Sequence, residues 1–140
     1  MRKIGKGRIF RIIDANLNRT KEGLRVCEDV ARFIFDNQKI TAEYKKIRHA
    51  LTALTAACGK SPKSLIGCRE VAKDIGREST PVEFRRESAR DIFYANSQRV
   101  KESMRVLEEF TKLTNPKSAE GFKRLRYRIY ALEKNIVKKF

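Results

Sequence analysis

Between Ile12 and Asp36 the apolar residues Leu17, Leu24, Cys27, Val30, Ala31 and Ile34 return at helical spacing, with Glu22, Arg25, Glu28 and Asp29 on the other side. No proline interrupts the run, so the pattern predicts one amphipathic helix. Thr41 offers an N-cap for a second helix, and Gly59 a left-handed residue to end it. A third stripe runs over about Ser88–Leu113. Asn115 followed by Pro116 reads as an N-cap with proline at the first helical position, opening a last helix to about Val137.

The first and third stripes are copies of each other. Ala15–Phe33 (ANLNRTKEGLRVCEDVARF) and Ala95–Leu113 (ANSQRVKESMRVLEEFTKL) align without a gap and share Ala, Asn, Arg, Lys, Glu, Arg, Val and Glu, eight identities in 19 positions. Tyr44–Leu54 (YKKIRHALTAL) and Phe122–Leu132 (FKRLRYRIYAL) form a second, weaker pair. Each half is a helical hairpin, and the expected fold is all-α: a duplicated hairpin forming an antiparallel four-helix bundle in a single domain. The copies span about residues 12–59 and 88–137. The connecting segment 60–87 contains Pro62, Gly67, Gly76 and Pro81; so long a connection in a bundle is expected to carry short elements and to act as a lid or binding loop. Thr80-Pro81-Val82-Glu83 could cap a short helix there, or Ser88 could start the long one.

Composition narrows the classes. A chain of 140 residues is too short for a TIM barrel, and 41% hydrophobic content argues for a folded core despite 33 Lys+Arg against 17 Asp+Glu. The net charge of +16 points to an anionic ligand or partner. Arg2, Lys3, Lys6, Arg8 and Arg11 crowd the start and eight further cations follow Pro116, which reads as solvated surface charge at both ends. Cys27, Cys58 and Cys68 are odd in number and lack metal-ligand spacing, which suits a reducing cytoplasm better than a disulfide framework or a zinc site. No apolar run reaches membrane-spanning length and no signal core follows the basic start, so a soluble, unprocessed protein is expected.

The duplication singles out residues for chemistry. Asn16 and Asn96 fall within the apolar stripes of their helices and Arg19 and Arg99 at the edges, where polar groups are costly unless hydrogen-bonded. Either they form a structural polar pair between the halves or they line an interior anion pocket. Glu22, Glu28 and Asp29, with Glu102, Glu108 and Glu109, are either surface carboxylates paired with nearby cations or a source of two Mg²⁺ ligands. Arg48 and Arg126 match between copies and could extend the pocket. The only histidine, His49, has Tyr127 as its counterpart, which disfavours histidine catalysis. Gly59-Lys60-Ser61 is not a P-loop: the leading glycine is replaced by Leu54, and a helix rather than a strand comes before it.

The paired ANxxRxKExxRVxE copies, together with Arg69-Glu70-Val71-Ala72-Lys73-Asp74-Ile75-Gly76 between them, resemble the small all-helical hydroxymethylpyrimidine-phosphate kinase of thiamin biosynthesis, a domain often fused to thiamin-phosphate synthase. The likeness covers about residues 8–135. Arg69, Val71, Asp74 and Gly76 match the family's loop pattern, while Glu70 and Ile75 are conservative departures.

The resemblance implies transfer of the ATP γ-phosphoryl group to 4-amino-5-hydroxymethyl-2-methylpyrimidine phosphate. A phosphate monoester is already mostly anionic at neutral pH and needs no general base, so the task is to align and neutralise phosphates with Mg²⁺ and arginines. On that basis Arg19, Arg99 and Arg69 are the expected catalytic groups, with Arg69 and Arg126 reaching the donor, Arg48 extending the pocket and Asp74 holding Mg²⁺. Glu22 or Glu102 would add a metal or substrate contact, and Asn16 or Asn96 would read the aminopyrimidine edge. The synthase barrel is missing, so a separate thiamin-phosphate synthase is a candidate partner and a homodimer another way to complete the pocket. Two other classes stay open: a non-catalytic pyrimidine-phosphate-binding module of the synthase, and a basic helical nucleic-acid-binding protein, the latter disfavoured because the twice-kept arginines are expected to face inward.

Overall fold

The computed structural model describes residues 4–58, 61–80 and 85–140. Among them are five α-helices: α1 (Lys6–Asp29), α2 (Gln38–Ala57), α3 (Pro62–Ile66), α4 (Ala89–Thr111) and α5 (Pro116–Val137). The described residues contain no strand. The expected Gly59 C-cap and the Pro81-Val82-Glu83 part of the alternative capping box lie outside the described residues.

The four long helices pack as expected, α1 chiefly on α4, α4 on α5, α2 on α5 and α1 on α2. Equivalent residues of the two copies fill the core: Leu24 and Met104, Cys27 and Leu107, Tyr44 and Phe122, Leu51 and Ile129 are all essentially inaccessible. Truncating such a Leu costs about 2–5 kcal/mol, so this interior holds the pair of hairpins together. The α1–α4 contact is a close seam, as is that of α5 with α2 where Gly121 meets Leu54. A Cβ on Gly23 would sit 2.7 Å from Val100 Cγ2 and 3.0 Å from the Asn96 carbonyl oxygen, closer than real side chains approach. Beside it the Thr20 and Ser103 hydroxyls meet at 2.6 Å.

Three helix boundaries differ from expectation. The first helix starts at Lys6 rather than Ile12, so the basic residues Arg8 and Arg11 are helical. It does not run unbroken to Asp36: Val30–Ile34 widens into a π turn, and Asp36 follows with φ of 46°. Aspartate tolerates that left-handed conformation better than most side chains. The chain therefore reverses early, and the cap of α2 is Asn37, whose Oδ1 accepts from Ile40 N at 2.8 Å, not Thr41. Ser88 and Asn115 do cap α4 and α5, accepting from Asp91 N and Ser118 N.

In the connecting segment Ser61 caps the short helix α3, and a 3-10 turn forms at Val71–Lys73. The segment lies on the N-terminal half of α1 through α3 and through Arg69.

Candidate functional site

Where the segment meets α1 the surface opens into a cleft of about 700 Å³, lined by Arg8, Arg11, Ile12, Asp14, Ala15, Asn16, Arg19, Arg69, Glu70, Val71, Asp74 and Val106. A smaller hollow of about 370 Å³ shares Asn16, Arg19 and Val106 with it and adds Gly76, Arg99, Glu102 and Ser103. Together they form one groove across the α1–α4 seam, of a size that suits a nucleotide or phosphate ester.

Arg69 is fixed by Asp14. Its Nε donates to Oδ2 at 2.6 Å and its Nη2 to Oδ1 at 3.0 Å, a bidentate pair. The hydrogen bond to Asp14 raises the Arg69 pKa above its ordinary value. Five residues further on, Asp74 Oδ1 accepts from Gly76 N at 3.0 Å, closing a small turn. Its Oδ2 has no partner among the described residues. Arg8, Arg11 and Arg99 likewise have no carboxylate partner among the described residues. Arg19 makes only a long contact, donating from Nη1 to Asn16 Oδ1 at 3.4 Å.

The structure brings together Asn16, Arg19, Arg69, Asp74, Arg99 and Glu102. It does so in an open groove. Asn16 is buried, but Arg19 and Arg99 are exposed on the groove wall, which corrects the expectation of an interior pocket. The reason is the seam: Thr20, Gly23, Val100 and Ser103 occupy its centre, leaving positions 19 and 99 at the rim. The two asparagines spend one amide N–H on their own helices, Asn16 on the Ile12 carbonyl and Asn96 on the Ile92 carbonyl, each at 2.8 Å. That shared bond gives a local reason for the twice-kept amide, and Asn96 does not line the groove.

Arg48 and Arg126 lie elsewhere. Arg48 donates to both oxygens of buried Glu28, at 2.7 and 3.2 Å, and Arg126 donates to Glu108 at 3.1 and 3.3 Å. Arg25 and Arg105 approach the same glutamates at 3.8 and 3.5 Å. The duplicated arginines therefore tie α1 to α2 and α4 to α5, and do not extend the pocket. Glu22 is exposed on α1 and lines neither part of the groove.

Asp14, Arg8 and Arg11 enter the groove without having been singled out by sequence. Asp14 directly precedes the repeated ANxxR motif, but its counterpart is Tyr94, so comparing the copies passes over it. The two arginines were counted as solvated charge.

The described residues hold no group of three or more His, Cys, Asp or Glu that could hold a metal ion. Mg²⁺ is commonly bound through one or two carboxylates plus ligand phosphates. Asp74, with its unpartnered oxygen beside an arginine-lined groove, fits that mode. No described helix is long and apolar enough to cross a membrane.

Comparison with known proteins supports the thiamin-biosynthesis part of the likeness drawn from the motifs. The chain is 40% identical over 130 residues to the thiamine-phosphate synthase of Nostoc punctiforme, covering 92% of this chain but 35% of that protein. It is also 40% identical over 130 residues to the thiamine-phosphate synthase of Synechocystis sp., 36% of whose length is covered. The Thermosynechococcus vestitus protein of the same name is 39% identical over 127 residues. The chain thus spans about a third of the length of the relatives it matches. No solved structure matches it. The ThiD2 family model matches residues 11–135, nearly the whole bundle with its connecting segment, and the chain belongs to the ThiD2 family.

Proposed function

We propose that the chain is a phosphomethylpyrimidine kinase-like enzyme of thiamin biosynthesis, transferring the γ-phosphoryl group of ATP to 4-amino-5-hydroxymethyl-2-methylpyrimidine phosphate. The observation that carries this is the groove itself: Arg8, Arg11, Arg19, Arg69 and Arg99 outnumber its carboxylates Asp14, Glu70, Asp74 and Glu102, of which Asp14 is taken by Arg69 and Asp74 has an oxygen to spare. Phosphoryl transfer between two phosphate esters needs charge neutralisation and alignment more than proton transfer.

In that reaction an oxygen of the pyrimidine phosphate attacks the γ-phosphorus, the bond from γ-phosphorus to the β–γ bridging oxygen breaks, and ADP leaves with that oxygen. Because the acceptor enters mostly as a dianion, no side chain has to remove a proton. Arg19 and Arg99 stand on opposite walls of the groove and would clamp the phosphates. Asp74 would hold Mg²⁺, which screens the charge between donor oxygens. Asn16 retains one amide N–H for the pyrimidine edge. The relatives' name supports a place in thiamin biosynthesis, with the diphosphate product passing to a thiamin-phosphate synthase.

The test is incubation of the purified chain with ATP, Mg²⁺ and the pyrimidine phosphate, following ADP and the diphosphate by phosphorus NMR. Equimolar formation of both is expected. Tight binding of the pyrimidine phosphate with no ADP would overturn the kinase and leave a binding module of the synthase. Asp74→Asn should raise the Mg²⁺ concentration for half-maximal rate at least tenfold; an unchanged metal titration would remove Asp74 from that role.

A further inference from the structure

The side of the bundle formed by α2 and α5, opposite the groove, carries a second concentration of charge. The two helices are antiparallel neighbours, with Gly121 against Leu54 and Arg128 reaching Glu43 at 3.7 Å. Their exposed residues include Lys45 and Lys46 on α2 and Lys123, Arg124, Arg128 and Lys134 on α5. By helical spacing Lys123, Arg124 and Lys134 fall on the outward side of α5 with Glu120, while Lys46 and Arg128 meet at Glu43 on the junction with α2 and Lys45 turns away, lining a hollow with Arg32 and Asp36. Lys45, Lys123, Arg124 and Lys134 have no partner among the described residues.

Two tyrosines sit among these cations. Tyr127 is 57% and Tyr130 44% exposed, with ring centroids 5.9 Å apart. The Arg126 guanidinium, anchored on Glu108 of α4, lies 5.3 Å from the Tyr127 centroid and 5.9 Å from that of Tyr130, and Lys101 Nζ of α4 lies 5.3 Å from the Tyr130 centroid, so both rings are held at the α4 edge of α5. An exposed tyrosine pair in a basic field is a stacking platform. The other outward positions include Ala42, His49, Ala53 and Ala56 on α2 and Ala131 on α5, so no large aliphatic side chain is offered to lipid.

We propose that the outward side of α5 binds single-stranded nucleic acid, with Lys123, Arg124 and Lys134 along the phosphates and Tyr127 and Tyr130 stacking on bases. The surface is independent of the groove and of the kinase proposal. From Lys123 to Lys134 it runs about 16 Å along the helix axis.

The experiment is fluorescence anisotropy of a labelled single-stranded RNA of mixed sequence with the full chain, at two salt concentrations, with melting curves to confirm that every variant folds. The wild type should bind, with affinity falling about tenfold or more between 50 and 200 mM salt. Lys123→Glu/Arg124→Glu/Lys134→Glu should weaken binding at least tenfold and flatten the salt dependence. Tyr127→Ala should weaken it fivefold or more and leave the salt dependence unchanged. Arg19→Ala/Arg99→Ala, which alters only the groove, should bind RNA as the wild type does, and excess ATP should not displace it. Three results would overturn the proposal: no binding at 50 mM salt, binding that is lost in the groove variant but kept in the face variant, or binding of vesicles of phosphatidylserine and phosphatidylcholine without binding of RNA.

Discussion

Asp14 and Arg69 form a two-bond bridge across 55 residues of chain, at 2.6 and 3.0 Å, and among the described residues it is the ion pair that fastens the connecting segment to α1. Arg69 was expected to touch the phosphate donor, yet its guanidinium is occupied by a carboxylate of its own chain. What it does for the groove is to set the position of Glu70, Val71 and Asp74.

Asp14→Asn should therefore loosen the segment without unfolding the bundle. Hydrogen exchange at residues 69–76 should quicken at least tenfold while α4 and α5 keep their protection, and kcat/KM should fall about tenfold with most of the change in KM. Asp14→Glu should recover part of both. Unchanged exchange in the segment would mean that other contacts hold it.

Arg99→Ala should lower turnover by about 10²-fold or more, equivalent to about 2.7 kcal/mol of transition-state stabilisation, with little loss of helicity. Its exposed position and lack of an ion-pair partner leave little stability to lose. Parallel losses of melting temperature and activity would point to a structural role instead.

The buried pairs Glu28–Arg48 and Glu108–Arg126 should behave in the opposite way. Glu28→Ala strands a guanidinium whose side chain is 16% exposed, and such losses cost about 3–5 kcal/mol. Glu28→Gln/Arg48→Met should recover much of that, because both charges leave together. The folded fraction should keep its activity. Full stability with lost turnover would return Arg48 to the site.

Burial pushes the Cys27 thiol from 9.0 up to about 12, with the Glu133 carboxylate adding to the shift, and Tyr44 is raised in the same direction. The unfolded thiol loses its proton near pH 9 and the folded one only near 12, so the folded state holds more protons in between and stability falls as pH rises through that window. Urea midpoints should be flat from pH 7 to 8.5 and decline from about pH 9 upward. At pH 8 a disulfide reagent should titrate at most Cys58 and Cys68 before unfolding, since Cys27 is buried. Stability that stays flat to pH 11, or a third fast thiol, would contradict this.

The bundle was legible because duplication wrote the same apolar stripe twice, and each copy confirms the other. Boundaries were less so: a 3.6-residue period cannot announce the π turn at Val30–Ile34 or the positive φ of Asp36 that move the α2 cap to Asn37. The same comparison that found Arg19 and Arg99 also picked Arg48 and Arg126, because a buried ion pair preserves a residue in both copies as firmly as a ligand would. It missed Asp14, whose counterpart is Tyr94, and a tally of end charges hid Arg8 and Arg11, which only the early start of α1 turns toward the groove.

A pair of hairpins has two equivalent ends, and one tether can roof only one of them. At the roofed end Asn16 is 4% exposed; at the other, Asn96 is half-buried, Ile92 is 39% exposed, and Tyr94 stands where Asp14 would be. The molecule has thus become lopsided: one end is tied down by Arg69, and its twin, built from the same motif, has instead the Phe140 ring 6.3 Å from that of Tyr94. A saturation-mutagenesis map should show that imbalance: Asp14 and Ile12 intolerant, Tyr94 and Ile92 permissive, although within each pair the backbone positions are equivalent.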